Sequence, residues 1–163
     1  MIILGIDPGV ATMGYGMVEV KNLKRTTKNN FKCLGYGSIK TSPTMTMPER
    51  LKKINNELTK IIETHQPKIM AVENVYFFKN MKTAMPVSQA KGVIMLTAAK
   101  KNIPVHEFSP AQVKMLVTGS GKAEKIQVQK KIQSIFGLKD LHKSDDAADA
   151  LAIALTYVFA RNA

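Results

Sequence analysis

Residues 2–9, IILGIDPG, decide the reading of this chain. The run 2–7 is nearly all apolar, as in a short strand buried on both faces, yet it closes on the acid Asp7. Pro8 and Gly9 end it, because proline cannot donate to a ladder and glycine permits the turn. Working outward, residues 13–21 (MGYGMVEVK) predict a second strand and residues 32–40 (KCLGYGSIK) a third. The polar, cationic stretch KNLKRTTKNN joins them as a hairpin loop. Gly14, Gly16, Gly35 and Gly37 fall at alternate positions, a pattern that weakens strands or marks a face where another element packs closely.

Helices and strands then alternate. Thr46 and Glu49 form a capping box, and Leu51, Ile54, Leu58, Ile61 and Ile62 repeat at spacings of three and four, one apolar helical face. Residues 68–76 (KIMAVENVY) predict an inner strand with Glu73 embedded in it. A helix is expected over residues 84–101 with Pro86 in its first turn, then a strand at 104–108. Ser109-Pro110 opens the next helix, which Gly119 stops; another spans 123–136 and ends at Gly137. A last helix starts after Ser144 and runs to Ala160. The fold class is α/β: an antiparallel meander extended by parallel strands, a mixed sheet with helices on its faces. With 163 residues and no internal linker or repeat, residues 1–163 are read as a single domain.

Composition narrows the class further. No apolar run has membrane length, the first residues are not those of a signal peptide, and the one cysteine, Cys33, has no disulfide partner, so a cytoplasmic chain without membrane contact is expected. Lys and Arg total 24 against 12 Asp and Glu, a net charge of +12 that suggests a polyanionic partner. Against that excess the acids stand out. Four of the five aspartates (Asp140, Asp145, Asp146 and Asp149) fall within ten residues.

Asp7 and Glu73 each interrupt an apolar strand, and a buried carboxylate is costly unless paired or bound to metal. Either acid alone could cap a strand end or pair with a lysine. Asp146 and Asp149, three apart on the last helix, share a face, and like charges at that spacing destabilise a helix unless a cation intervenes. Asp145 fits simple enrichment of acids at a helix N-terminus. Ala147, Ala148, Ala150, Ala152 and Ala154 let the helix press on the sheet and bring its acids to Asp7 and Glu73. All-oxygen ligands select Mg²⁺ or Mn²⁺, and two such ions ~3.5–4 Å apart are the apparatus of in-line phosphodiester cleavage. An acidic metal cluster inside a basic chain suits a nuclease.

GIDPG followed by GYG, VEN with a downstream FKN, QAKGV, AQVK, GKAEKIQVQ and DAADALAIA, in this order and nearly end to end, make the chain similar to the RuvC family of Holliday junction resolvases. The resemblance implies an RNase H-like fold, a mixed five-stranded sheet flanked by helices on both faces. It implies that Asp7, Glu73, Asp146 and Asp149 are catalytic and hold two Mg²⁺ per subunit, with Mn²⁺ able to substitute. It places Tyr76 beside the junction centre, where the family often has Phe, and Lys79, Lys114 and Lys125 on the DNA. It further implies a homodimer that resolves four-way junction DNA in recombination and repair by two symmetric nicks, leaving 5′-phosphate and 3′-hydroxyl ends. RuvA and RuvB, the branch-migration proteins, are implied partners. Family members run slightly past the last helix, so no tail contact to DNA is expected after Ala163.

Two rival readings remain. A non-catalytic junction-binding protein would keep the acids as a structural cation site, and a nicking assay separates it. An actin-like ATPase would share only the first-strand turn, and 163 residues cannot supply its two lobes. Gly119-Ser120-Gly121-Lys122 is no P-loop, since Leu116 and Ala123 stand where glycine and Ser/Thr are required. His65, His106 and His142 match no ligand spacing, although His142 lies near the acids; Cys33 reads as a small core side chain. Met45, Met47, Met81, Met85, Met95 and Met115 read mostly as packing, some at a subunit contact.

Overall fold

The structure, a computed structural model, describes residues 1–74, 81–138 and 145–163, apart from the side chains of 81–83. Five strands make one sheet: β1 (Ile2–Asp7), β2 (Thr12–Val20), β3 (Phe31–Lys40), β4 (Ile69–Glu73) and β5 (Val105–Phe108), ordered β3-β2-β1-β4-β5. The first three form the expected meander, β1 antiparallel to β2 and β2 to β3, with a bulge between Met17 and Val18. β4 lies parallel to β1, Ile3 opposite Ile69 through Ile6 opposite Val72, and β5 lies parallel to β4. The helices are α1 (Met47–His65), α2 (Met81–Lys100), α3 (Pro110–Thr118), α4 (Lys125–Phe136) and α5 (Asp145–Ala160).

β1 sorts its side chains to two cores. Leu4 and Ile6 join Ile54 and Leu58 of α1 and Ile94 of α2 on one face. Ile3 joins Val113 of α3, Ile132 of α4 and Leu151 of α5 on the other. Helices thus cover both faces, and β1 is buried throughout its middle, as its apolar run requires.

The glycines of the first two strands have a specific use. A Cβ on Gly5 would overlap the backbone oxygen of Ala150, and one on Gly14 the backbone oxygen of Asp146; on Gly16 it would lie 2.8 Å from the Leu151 nitrogen. Bare backbone on the sheet and alanines on α5 bring helix and sheet into near-direct backbone contact. The alternate-glycine pattern therefore marks close packing of α5 on β2.

The punctuation holds where side chains carry it. The Glu49 carboxylate accepts from the Thr46 backbone N–H at 2.7 Å, and Ser109 and Gln112 make the reciprocal pair at the head of α3. Gly119 and Gly137 close α3 and α4 with φ of 86° and 68°. Two expectations need correction. α4 is capped by Glu124, whose N–H donates to Gln127 at 2.7 Å, and so starts at Lys125. α2 opens at Met81, which puts Pro86 inside the helix. Proline removes a single rung and crowds only the carbonyl four residues before it, so the turn upstream of Pro86 is still helical. The expected inner strand over 68–76 is shorter, running from Ile69 to Glu73 with Lys68 and Asn74 just outside it; residues 75 and 76 lie outside the described residues.

Candidate active site

Asp7 and Glu73 are the last residues of β1 and β4. These strands are parallel neighbours with Ile6 opposite Val72, so the next residue of each, Asp7 and Glu73, lies side by side with the other at the strands' carboxyl ends. Asp7 also pairs across to Gly14 on β2, and the first turn of α5 rests on that glycine. The same close approach that packs α5 on the sheet therefore delivers Asp146 and Asp149 to Asp7. Three separated stretches of sequence meet at one end of the sheet.

Electrostatics show how tightly they meet. Burial pushes the Asp7 carboxyl up from 3.8 to about 8, helped by the charges of Glu73, Asp149 and Asp146 and opposed by Lys125. Burial and then Asp149 push Glu73 from 4.5 to about 7, with Lys114 and Lys125 acting against them. Burial also raises Asp149, which Lys125 counters. The Lys125 ammonium sits 3.0 Å from Asp149 and 3.6 Å from Asp145. A cleft of about 220 Å³ is lined by Glu73, Asp149, Lys114 and Lys125 over Pro110, Val113 and Val128. Carboxylates and two lysines face one small space.

Asp7 lies within electrostatic reach of Glu73, Asp146 and Asp149, yet among the described residues no three acids are drawn together as a ready ion-binding group. Like charges repel, and Lys125 holds Asp149 toward α4. The donor chemistry nonetheless fits a hard divalent cation. The donors are all oxygen, and burial against like charge makes ionised Asp7 and Glu73 costly until a cation compensates.

A family model for the crossover junction endodeoxyribonuclease RuvC matches residues 3–157. The chain belongs to the RuvC family. It is 44% identical over 158 residues to the RuvC of Caldicellulosiruptor saccharolyticus, covering 97% of this chain and 92% of that one. It is 46% identical over 157 residues to the RuvC of Petrotoga mobilis, with 96% and 93% covered. The structure of Thermus thermophilus RuvC in complex with a Holliday junction substrate superposes with a TM-score of 0.89 at 34% identity, covering 99% of this chain and 95% of that one. The RNase H-like fold expected from the RuvC resemblance is thus the fold observed.

Of the site residues expected for a RuvC chain, Glu73, Asp149, Lys114 and Lys125 line the cleft, Asp7 lies within reach of the charges of Glu73 and Asp149, and Asp146 acts on Asp7 and Asp149. Tyr76, Lys79 and His142 lie outside the described residues. Asp145 does more than enrich a helix start: it accepts from Gln129 at 2.8 Å and faces Lys125, tying α5 to α4. His106 packs on Tyr157, ring centroids 4.8 Å apart, away from any ligand role. Met85, Met95 and Met115 are exposed rather than packed within the chain.

Sequence reasoning missed one group at the sheet end. Lys91 of α2 donates to Asn74 at 2.8 Å and to Glu107 at 2.6 Å, while the Asn74 N–H donates to the Phe108 carbonyl at 2.7 Å. The clamp holds the exit of β4 immediately after Glu73. Its only sequence signal is a lysine in the small and apolar run QAKGVIML.

Proposed function

We propose that residues 1–163 form one nuclease domain that nicks four-way DNA junctions symmetrically in recombination and repair, leaving 5′-phosphate and 3′-hydroxyl ends. The observation that carries this reading is the placement of Asp7 and Glu73 on adjacent strand ends, with α5 packed on Gly14 beside them and a cleft lined by Glu73, Asp149, Lys114 and Lys125. Membership in a family named for crossover junction cleavage, and the likeness to a relative in complex with a Holliday junction, support the choice of substrate.

In this reading Asp7, Glu73, Asp146 and Asp149 hold two Mg²⁺, with Mn²⁺ able to substitute. When bound, such a pair activates a water and stabilises the departing oxygen. The protein supplies placement. Adjacent strand ends fix Asp7 beside Glu73, α5 lowers Asp146 and Asp149 onto them, and the apolar floor of Val113 and Val128 limits water in the cleft. Lys114 and Lys125 face the backbone phosphates, Lys125 being released from Asp149 when that carboxylate turns to ion binding. Tyr76 and Lys79 are assigned to the junction from the family pattern alone, as are RuvA and RuvB as partners.

The chain acts as a homodimer whose two clusters cut strands of like polarity. An exposed apolar stripe on α2 supports this: Met85 and Leu96 are 70% and 54% accessible, and Gly92 between them has open space above it. The deciding experiment uses a synthetic four-way junction with linear duplex of the same sequence as control. With Mg²⁺ the protein should nick the junction in pairs and leave the duplex intact. Asp7→Asn and Asp146→Asn should abolish nicking while junction binding persists; cleavage retained by either variant overturns the assignment.

A further inference from the structure

α4 separates the acidic cleft from a second, unassigned surface. Lys125 and Val128 line the cleft, whereas Lys122, Gln127, Lys130 and Lys131 line a groove of about 490 Å³ between α4 and the end of α3. That groove runs into another of about 600 Å³ that reaches Lys28 in the loop between β2 and β3; Thr118, Lys131 and Ser134 line both. Among the described residues, no carboxylate lines either groove.

In a chain of net charge +12 exposed lysines are common, so the comparison with other lysine-lined grooves matters. The groove along α1 holds Glu49 and Glu57 among its lysines, and Lys60 is paired to Glu57 at 2.9 Å. The groove at the end of α1 pairs Lys101 with Glu63 at 2.6 Å. Lys28, Lys122, Lys130 and Lys131 have no carboxylate partner among the described residues. Unneutralised lysines around a long open channel fit a sugar–phosphate backbone, where each cation displaces condensed counterions. A protein partner fits less well, because lysine is depleted from the cores of protein interfaces.

We propose that this groove is a second DNA-backbone site, which takes the phosphates of a duplex arm after the strand has left the acidic cleft. The inference rests on the proposed junction-nuclease reading and extends it: the helix that carries Lys125 into the cleft presents Gln127 and Lys130 to the groove within two turns, so one DNA path serves both. Contacts here bear on backbone only. They strengthen binding without choosing a sequence.

The test measures binding in EDTA, so that it does not depend on cleavage. A four-way junction with arms of about 25 base pairs is titrated with wild type, with Lys130→Gln/Lys131→Gln, and with the same pair plus Lys28→Gln. The slope of log affinity against log salt should shrink by about 0.9 for each lysine lost. Lys52→Gln/Lys53→Gln, an equal charge loss on α1 across the sheet, should leave the slope near wild type. An unchanged slope in the groove variants, or an equal fall in the α1 variant, overturns the proposal. Thermal melts matching wild type exclude misfolding. If wild type binds junctions by this slope but never nicks them in Mg²⁺, the nuclease reading fails and the groove stands.

Discussion

Asp7 shows what a single side chain reveals and what it hides. An acid closing an apolar strand is visible in the sequence, and its cost when buried follows from elementary electrostatics. Its acidic neighbours, from distant stretches, were reachable only through the alanines of the last helix and the RuvC resemblance, and Lys125, expected on the DNA, was not foreseen as their counter-charge. Its pH signature has a definite sign. Asp7 and Glu73 have folded values near 8 and 7 against ordinary values of 3.8 and 4.5, so the fold binds protons that the unfolded chain releases. Their contribution to stability is full below about pH 4 and is lost as pH rises through 7 and 8. Metal-free protein in EDTA should therefore melt at progressively lower temperature from pH 5 to pH 8. Asp7→Asn should flatten that fall, and Mg²⁺ should reverse it in wild type; a melting temperature that rises with pH in EDTA would contradict the burial of these acids. Lys91 makes the complementary case. Its side chain is 14% accessible and its partner Glu107 33%, so Lys91→Met leaves a half-buried carboxylate and Asn74 without their donor. The expected cost is about 1–3 kcal/mol by denaturant titration, less than for a fully buried pair because Glu107 reaches solvent. Lys91→Met/Glu107→Leu should recover part of it.

Elements were legible where their own residues punctuate them. Thr46 with Glu49, Ser109 with Gln112, and Gly119 and Gly137 bond or bend within a few residues of where they stand, so sequence alone places those helix ends. The start of α2 was hidden by Pro86, which signals a first turn but tolerates another before it. The glycines of β2 were ambiguous until α5 was set against them, and Gly5 of β1 meets the same helix. Their role gives a paired prediction. Gly5→Ala drives a methyl into the backbone of Ala150, deep beneath α5, and should destabilise the fold by about 3 kcal/mol. Gly14→Ala meets the backbone of Asp146, at the turn that carries two of the acids. It should cost stability too, and in addition raise the Mg²⁺ concentration for half-maximal nicking by tenfold or more, which Gly5→Ala should not. Equal metal requirements in the two variants would mean that α5 does not position Asp146 through Gly14.

For the whole molecule, the alternation of elements implied a mixed sheet covered on both faces, and the chain bears that out. The strand order was not legible, because nothing local says that β4 crosses to the free edge of β1; that follows from burying β1 on both sides. The proposed association lies a further step away, and α2 is the element on which it would rest. Ala90, Ile94 and Ala98 of this helix face the core, while Met85, Gly92, Leu96 and Ala99 recur at helical spacing on the side turned outward. A lone exposed methionine needs no explanation, but an aligned stripe with an open glycine in its middle lets a second helix approach closely. A two-fold pairing of α2 with its copy would bury the stripe of both chains at once. Leu96→Glu places a charge in that seam without touching the core or the acids. Wild type should sediment as a dimer and the variant as a monomer with an unchanged circular dichroism spectrum. The functional difference follows from geometry. On a supercoiled plasmid extruding a cruciform, a dimer cuts both strands in one encounter and yields linear DNA, whereas a monomer with an intact cluster yields nicked circles. A variant that still sediments as a dimer would move the subunit contact off α2, and one that linearises the plasmid as a monomer would detach paired nicking from the dimer altogether.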